Sequence, residues 1–95
     1  MSRETAIRQT AVVGSRVGLH VRPAGIIAKA AAGLEAPVRI GREGRDPVDA
    51  RSPLLLMALG ASCGAEVVIE SDGPGASEAV AAIVALVESD LDAPS

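Results

Sequence analysis

"EVVIESDGPGASEAVAAIVALVESDL", residues 66–91, holds the two periodicities that decide the fold of this chain. In its first five residues Val67 and Ile69 point one way and Val68 the other, the pattern of a strand with one buried side. DGPG, residues 72–75, supplies a turn. Beyond it Val80, Ile83, Val84, Val87 and Leu91 recur at i, i+3, i+4, i+7 and i+11, the clearest amphipathic helix in the sequence. A half-buried strand followed by a helix with one apolar stripe predicts a sheet covered by helices.

The same reading extends outward. Residues Thr5 to Val13 alternate, with Ile7, Ala11 and Val13 on one side and Arg8 and Thr10 on the other, which predicts another half-buried strand. Ile27, Ala30, Ala31 and Leu34 predict a helix from about Val21 to Gly33, its inner side rich in alanine and its stop a glycine. Val38 and Ile40 mark a strand, GREGRDP (41–47) a turn region, and Val48 to Ala50 an antiparallel return. Ser52 before Pro53 starts a short helix that runs to about Gly60, because serine accepts from an orphan amide and proline at the first helical position loses no needed donor. The order βαββαβα predicts an α+β open-faced sandwich, one four-stranded antiparallel sheet with three helices on one face and water on the other. So short a helix cannot bury all of PLLLMALG (53–60), so some of Leu54, Leu55, Leu56 and Met57 are expected at the surface as a partner site.

Composition narrows the function. The 95 residues predict one domain, ordered from about residue 5 to 88, with a polar tail over 89–95. There is no Phe, Tyr or Trp, so the core is built from Ala, Val, Leu and Ile, and stacking on bases is excluded. A net charge of −3 with scattered basic residues argues against nucleic acid. One His and one Cys cannot assemble a zinc-type ligand set, so no metal and no cofactor is expected; Cys63 excludes an internal disulfide and reads as a small filler. MSRETAIRQT at the amino terminus has no apolar run of signal-peptide length, and no stretch of about 18 apolar residues could span a membrane. A cytoplasmic protein, not inserted in a membrane, is the expectation.

Three motifs bear on chemistry. GASCG (60–64) matches G-x-S-x-G, which would make Ser62 a hydrolase nucleophile, but here a helix precedes the motif and a strand follows, the reverse of what that chemistry needs. A glycine-rich connecting loop is the plainer reading, with a small hydrolase as the alternative. DGPGASEA (72–79) lacks the Lys and Ser or Thr of a phosphate-cradling loop and reads as a turn and helix start. GLHVRPAG (18–25) places the chain's single histidine, His20, where a strand and a glycine loop give way to a helix. The free amides of the first turn at Val21 and Arg22, the helix dipole and the Arg22 side chain together make an anion site, which Pro23 stiffens while removing one amide. A neutral imidazole there is a competent nucleophile toward phosphorus, and the same positive groups would stabilise the phosphoryl oxygens. On these residues alone a histidine that caps the helix in a non-catalytic interaction module is an equal alternative.

GLHVRPAG and its helix, followed by VDARSPLLLMALGASCGAEVVIESDG (48–73) and a final amphipathic helix, closely resembles the HPr family, the histidine-containing phosphocarriers of the bacterial phosphoenolpyruvate-dependent sugar phosphotransferase system. The likeness runs from about Gln9 to Val87. It implies the open-faced sandwich already reached, and it implies roles. His20 corresponds to the histidine that carries phosphate on Nδ1, and Arg22 to the arginine that assists transfer. The implied partners are phosphoenolpyruvate-protein phosphotransferase, the first enzyme of the system, and the phosphoacceptor domains of sugar-specific permeases. Such a carrier is a substrate of other enzymes, works as a monomer, and docks them through a surface expected here around Leu54, Leu55 and Met57. A regulatory or nitrogen-branch paralogue using the same histidine is the alternative within the family.

The sequence also departs from the family's habits. Ser52 corresponds to a serine that an ATP-dependent kinase phosphorylates in some Gram-positive members, but Pro53 replaces the large aliphatic residue that usually follows, which favours helix capping over a regulatory phosphosite. Val17 stands where Asn or Ser is frequent, Val21 where a small or polar residue is, and Gly25 lies inside the first helix.

Overall fold

A computed structural model describes residues 6–91, so Thr5, the predicted start of the first strand, and residues 92–95 of the predicted tail lie outside the described residues. The elements run β1 (Ile7–Val12), α1 (Val21–Ala32), β2 (Val38–Gly41), β3 (Val48–Asp49), α2 (Pro53–Ala58), β4 (Glu66–Ser71) and α3 (Ala76–Glu88). Their order is the predicted βαββαβα. The strands form one sheet in the order β1-β4-β2-β3, every neighbouring pair antiparallel. Three helices cover one face and leave the other open, an open sandwich.

Strand periodicity accounts for the two faces. In β4, Val67, Ile69 and Ser71 are buried while Glu66, Val68 and Glu70 are not, and α3 packs over the buried side with Ala79, Val80, Ile83, Val84 and Val87. The core holds no aromatic ring; Ile27, Ile40, Leu56, Ile69 and Ile83 are its largest fully buried side chains. Buried Ala24, Ala28 and Ala31 let α1 approach its neighbours closely. On the open face, cross-strand register puts Glu70 of β4 directly between Arg8 of β1 and Arg39 of β2. Its carboxylate accepts from Arg8 Nη2 at 3.2 Å and from Arg39 Nε at 3.0 Å. The Arg39 bond is the main reason its carboxyl lies below the ordinary glutamate value, with Arg8 adding and partial burial opposing.

Two boundaries differ from the sequence reading. Leu91, placed by its spacing in the last helix, lies beyond it: α3 ends at Glu88 and Ser89 turns extended (φ −79°, ψ 153°). The residues after Glu88 also do not form a free polar tail as far as Leu91. Ser15 Oγ donates to the Ser89 carbonyl at 3.3 Å and accepts from the Leu91 amide at 3.0 Å, and Asp90 accepts from the Arg16 amide at 3.3 Å and from Arg16 Nε at 3.1 Å. Leu91 then packs, half-buried, against the core.

Candidate functional site

The loop between β1 and α1 presents the candidate histidine, and it is gripped from two sides. The end of α3 holds its first half, through the Gly14 amide on the Val87 carbonyl at 2.9 Å and the Ser15 and Arg16 bonds just described. The loop after α2 holds its second half, where the Leu19 amide donates to the Ala61 carbonyl at 2.9 Å. Gly18 makes that approach feasible. Its φ is +76°, and a Cβ there would stand 2.5 Å from the Ala61 oxygen and 2.9 Å from Ser62 Cα. Leu19 is buried in the core, and the next residue, His20, faces solvent.

His20 is the N-cap residue of α1 (φ −87°, ψ −172°), and its carbonyl accepts the first helical bond, from Ala24 at 2.9 Å. Its side chain makes no capping hydrogen bond. The reading in which the imidazole merely caps a helix therefore finds no support, and the ring is left available for chemistry. Pro23 sits at the third helical position and removes an amide there, so the unpaired donors of the first turn are those of Val21 and Arg22. No acidic residue lies in that turn to compete with an anion. Arg22 is exposed and enters no hydrogen bond or ion pair among the described residues, so its guanidinium is uncommitted rather than fixed.

A shallow hollow of about 230 Å³ opens beside the imidazole, lined by Val17, Leu19, His20, Met57, Gly60, Ala61 and Ser62. Of the sequence-derived site residues it brings together His20 and Met57. Arg22, Val21, Leu54 and Leu55 lie outside its lining. Larger depressions, of about 690 and 600 Å³, occupy the open face of the sheet and the start of α3, and neither reaches His20. α2 sorts its apolar residues as its length requires: Leu56 is fully buried, Met57 half-buried, and Leu54 and Leu55 are 75% and 43% exposed. Val17 and Val21, on either side of His20, are also exposed, at 56% and 60%.

Ser52 is the N-cap of α2, its Oγ accepting from the Leu55 amide at 3.2 Å, with Pro53 opening the helix. The other end of α2 is held from the β2–β3 turn. Arg42 Nη1 donates to the carbonyls of Leu59 and Gly60 at 3.1 and 3.2 Å, and Arg45 Nη1 to those of Ala58 and Leu59 at 3.1 and 3.4 Å. These cations answer the unpaired carbonyls of the last turn and fix the loop that floors the hollow.

Sequence reasoning missed that role of Arg42 and Arg45, and the place of Ser62. Ser62 and His20 line one hollow, although no hydrogen bond joins them and no carboxylate lines it, so the arrangement is not that of a hydrolase. Among the described residues no three His, Cys, Asp or Glu side chains cluster to hold a metal ion. No helix among them is long and apolar enough to cross a membrane.

Residues 7–89 match the family model described as the PTS HPr component phosphorylation site. The chain is 41% identical over 80 residues to the phosphocarrier protein HPr of Streptomyces coelicolor, covering 84% of this chain and 86% of that one. It is 30% identical over 86 residues to the phosphocarrier protein NPr of Escherichia coli K12, covering 90% and 96%. Its structure is similar to the crystal structure of a phosphocarrier protein HPr from Bacillus anthracis, with a TM-score of 0.82, 28% identity, and coverage of 88% and 99%.

Proposed function

The chain belongs to the HPr family of phosphocarriers, and on that premise we propose that His20 carries the phosphoryl group, on Nδ1. The observation that carries this reading is the imidazole itself: exposed at the N-cap of α1, yet making no capping hydrogen bond. Its lone pair attacks phosphorus, the N–P bond forms, and the bond to the donor breaks with its electron pair left on the donor. The amides of Val21 and Arg22 and the free Arg22 guanidinium supply the donors for the phosphoryl oxygens. The acceptor reverses the step.

The donor in this reading is the phosphorylated first enzyme of the phosphotransferase system, and the acceptors are sugar-specific permease components in the cytoplasm. Leu54 and Leu55, together with Val17 and Val21 beside the histidine, offer them an apolar docking surface, and Met57 its edge within the hollow. In this reading the carrier works as a single copy. It turns over no substrate alone. Ser52 serves as a helix cap, with its hydroxyl already engaged by Leu55. Similarity to NPr over 90% of the chain favours a second reading, in which the same histidine serves a nitrogen branch.

One experiment tests both. The protein is mixed with phosphoenolpyruvate and the first enzyme of either branch. Acid-labile, base-stable phosphate that disappears in His20→Ala is the expected result, faster with the sugar-branch enzyme. Label that survives His20→Ala, or none from either donor, refutes the carrier; faster labelling by the nitrogen-branch enzyme selects the second reading.

A further inference from the structure

The hollow beside His20 is almost devoid of polar side chains. Val17, Leu19, Met57 and Ala61 line it with hydrocarbon and Gly60 with backbone; Ser62 supplies the one side-chain donor besides the imidazole. Ser62 is exposed, and its hydroxyl enters no hydrogen bond among the described residues. Its backbone, by contrast, is pinned. The Ser62 carbonyl accepts from the Ala65 amide at 2.9 Å, and the preceding Ala61 carbonyl holds the Leu19 amide, one residue before His20. The Arg42 and Arg45 bonds fix the turn just before it.

A hydroxyl on a fixed backbone needs only a rotation about χ1 to aim, among three staggered wells. The long Arg22 side chain lies outside the hollow and must order several torsions to reach into it, at a greater entropic cost. We propose, as an extension of the carrier reading, that the Ser62 hydroxyl donates a hydrogen bond to the phosphoryl group on His20 and so holds the phosphorylated state. The GASCG motif, which matches a hydrolase pattern but reads as a glycine-rich loop, is then a carrier element: its serine binds the phosphoryl group without attacking it. No bond to Ser62 forms or breaks, so the phosphorus remains on nitrogen until an acceptor takes it. Charge-assisted O–H···O⁻ bonds are among the stronger hydrogen bonds, and part of this one's effect is lost to solvent at an open site.

The test uses the full chain brought to equilibrium with its first enzyme at a fixed ratio of phosphoenolpyruvate to pyruvate. The fraction of phosphohistidine is read by phosphorus NMR, which also reports the environment of the phosphoryl group. Ser62→Ala is expected to lower the ratio of phosphorylated to free protein about tenfold and to shift the phosphorus resonance, while Ser62→Thr, which keeps the hydroxyl, restores the ratio to within about twofold. Unfolding midpoints of the variants, measured alongside, are expected to match the parent because the side chain is exposed. A parent-like ratio in Ser62→Ala, or a Ser62→Thr variant as impaired as Ser62→Ala, overturns the proposal while leaving the carrier intact. A parent protein that takes no phosphate overturns the carrier reading and this proposal with it.

Discussion

Gly18→Ala is expected to destabilise the protein and to slow phosphoryl transfer, whereas Gly25→Ala, a few residues further along the same segment, is expected to stabilise it. At Gly18 the backbone is left-handed, with φ of +76°, which costs an L residue about 1–2 kcal/mol. The new Cβ also meets backbone atoms, 2.5 Å from the Ala61 oxygen and 2.9 Å from Ser62 Cα, and neither can swing aside as a side chain would. The two loops must part, and the first bond lost is that from the Leu19 amide to Ala61, worth about 0.5–1.5 kcal/mol. Together these give about 2–3 kcal/mol. Against a typical domain stability of about 5–15 kcal/mol the variant still folds, and its site can be assayed.

Gly25 poses the opposite case. It lies within α1, and a Cβ there meets nothing within 4 Å, so alanine gains up to about 1 kcal/mol of helix propensity at no steric cost. Without Phe, Tyr or Trp the chain offers no useful intrinsic fluorescence, so urea unfolding is followed by far-ultraviolet circular dichroism. With a slope of about 1 kcal/mol per molar for so small a protein, the midpoint falls by about 2–3 M in Gly18→Ala and rises by up to about 1 M in Gly25→Ala. A Gly18→Ala midpoint equal to that of the parent, or a fall in both variants, would refute the geometry on which the site is built. Phosphoryl transfer at the parental rate in a destabilised Gly18→Ala would show that the Leu19–Ala61 contact does not position His20.

Glu70→Gln tests the open face: the folded-state carboxyl value is depressed, so Glu70 contributes stability above the ordinary glutamate range that is lost as pH falls through the lowered value. The variant should lose about 1 kcal/mol or less at neutral pH, given that Arg8 is exposed, and nothing in strong acid; an equal loss at both refutes the assignment. Arg42→Ala with Arg45→Ala removes both cations from the carbonyls ending α2 and should cost about 1 kcal/mol while slowing transfer several-fold; an unchanged transfer rate would disconnect the β2–β3 turn from the site. Ser52→Ala should cost about 1 kcal/mol by orphaning the Leu55 amide, and Ser52→Asp, able to accept the same bond, should cost little; equal losses in the two would count against capping.

What was legible in the sequence is what local periodicity can encode. The alternation in EVVIE and the helical spacing after DGPG gave β4 and α3 because each pattern is set by residues a few positions apart. The sheet order β1-β4-β2-β3 depends on pairings between distant segments, so nothing near Glu70 announces that it will lie between Arg8 and Arg39. Leu91 failed for a related reason. Its spacing fits the helix, but Ser15 and Arg16, distant in sequence, capture Ser89, Asp90 and Leu91 and draw the chain away from the helical path. His20 was legible as the only histidine at a strand-to-helix junction. Ser62 was not, because its motif was weighed against its immediate neighbours, while its relevance comes from the loop across from it; the one local hint is Gly18, a glycine whose need appears only once Ala61 is placed against it.

The shape of the site follows from the work a carrier does. An enzyme that must exclude water encloses its reacting groups, and its largest cavity tends to hold them. A carrier has to be reached in turn by a donor and an acceptor, each bringing its own reacting groups, so its nucleophile must stand out from the surface and leave enclosure to the partner. If His20 is the nucleophile, as proposed, burying Leu19 immediately before exposing His20 meets this demand: the leucine anchors the backbone in the core and the next side chain is turned outward. The same demand explains why the hollow beside the histidine is small and open while larger depressions lie elsewhere, and why Val17 and Val21 tolerate exposure on either side of it. At a site that partners cover, apolar side chains around the histidine are desolvated on docking and strengthen the polar contacts they then surround, among which the proposed Ser62 contact would be one.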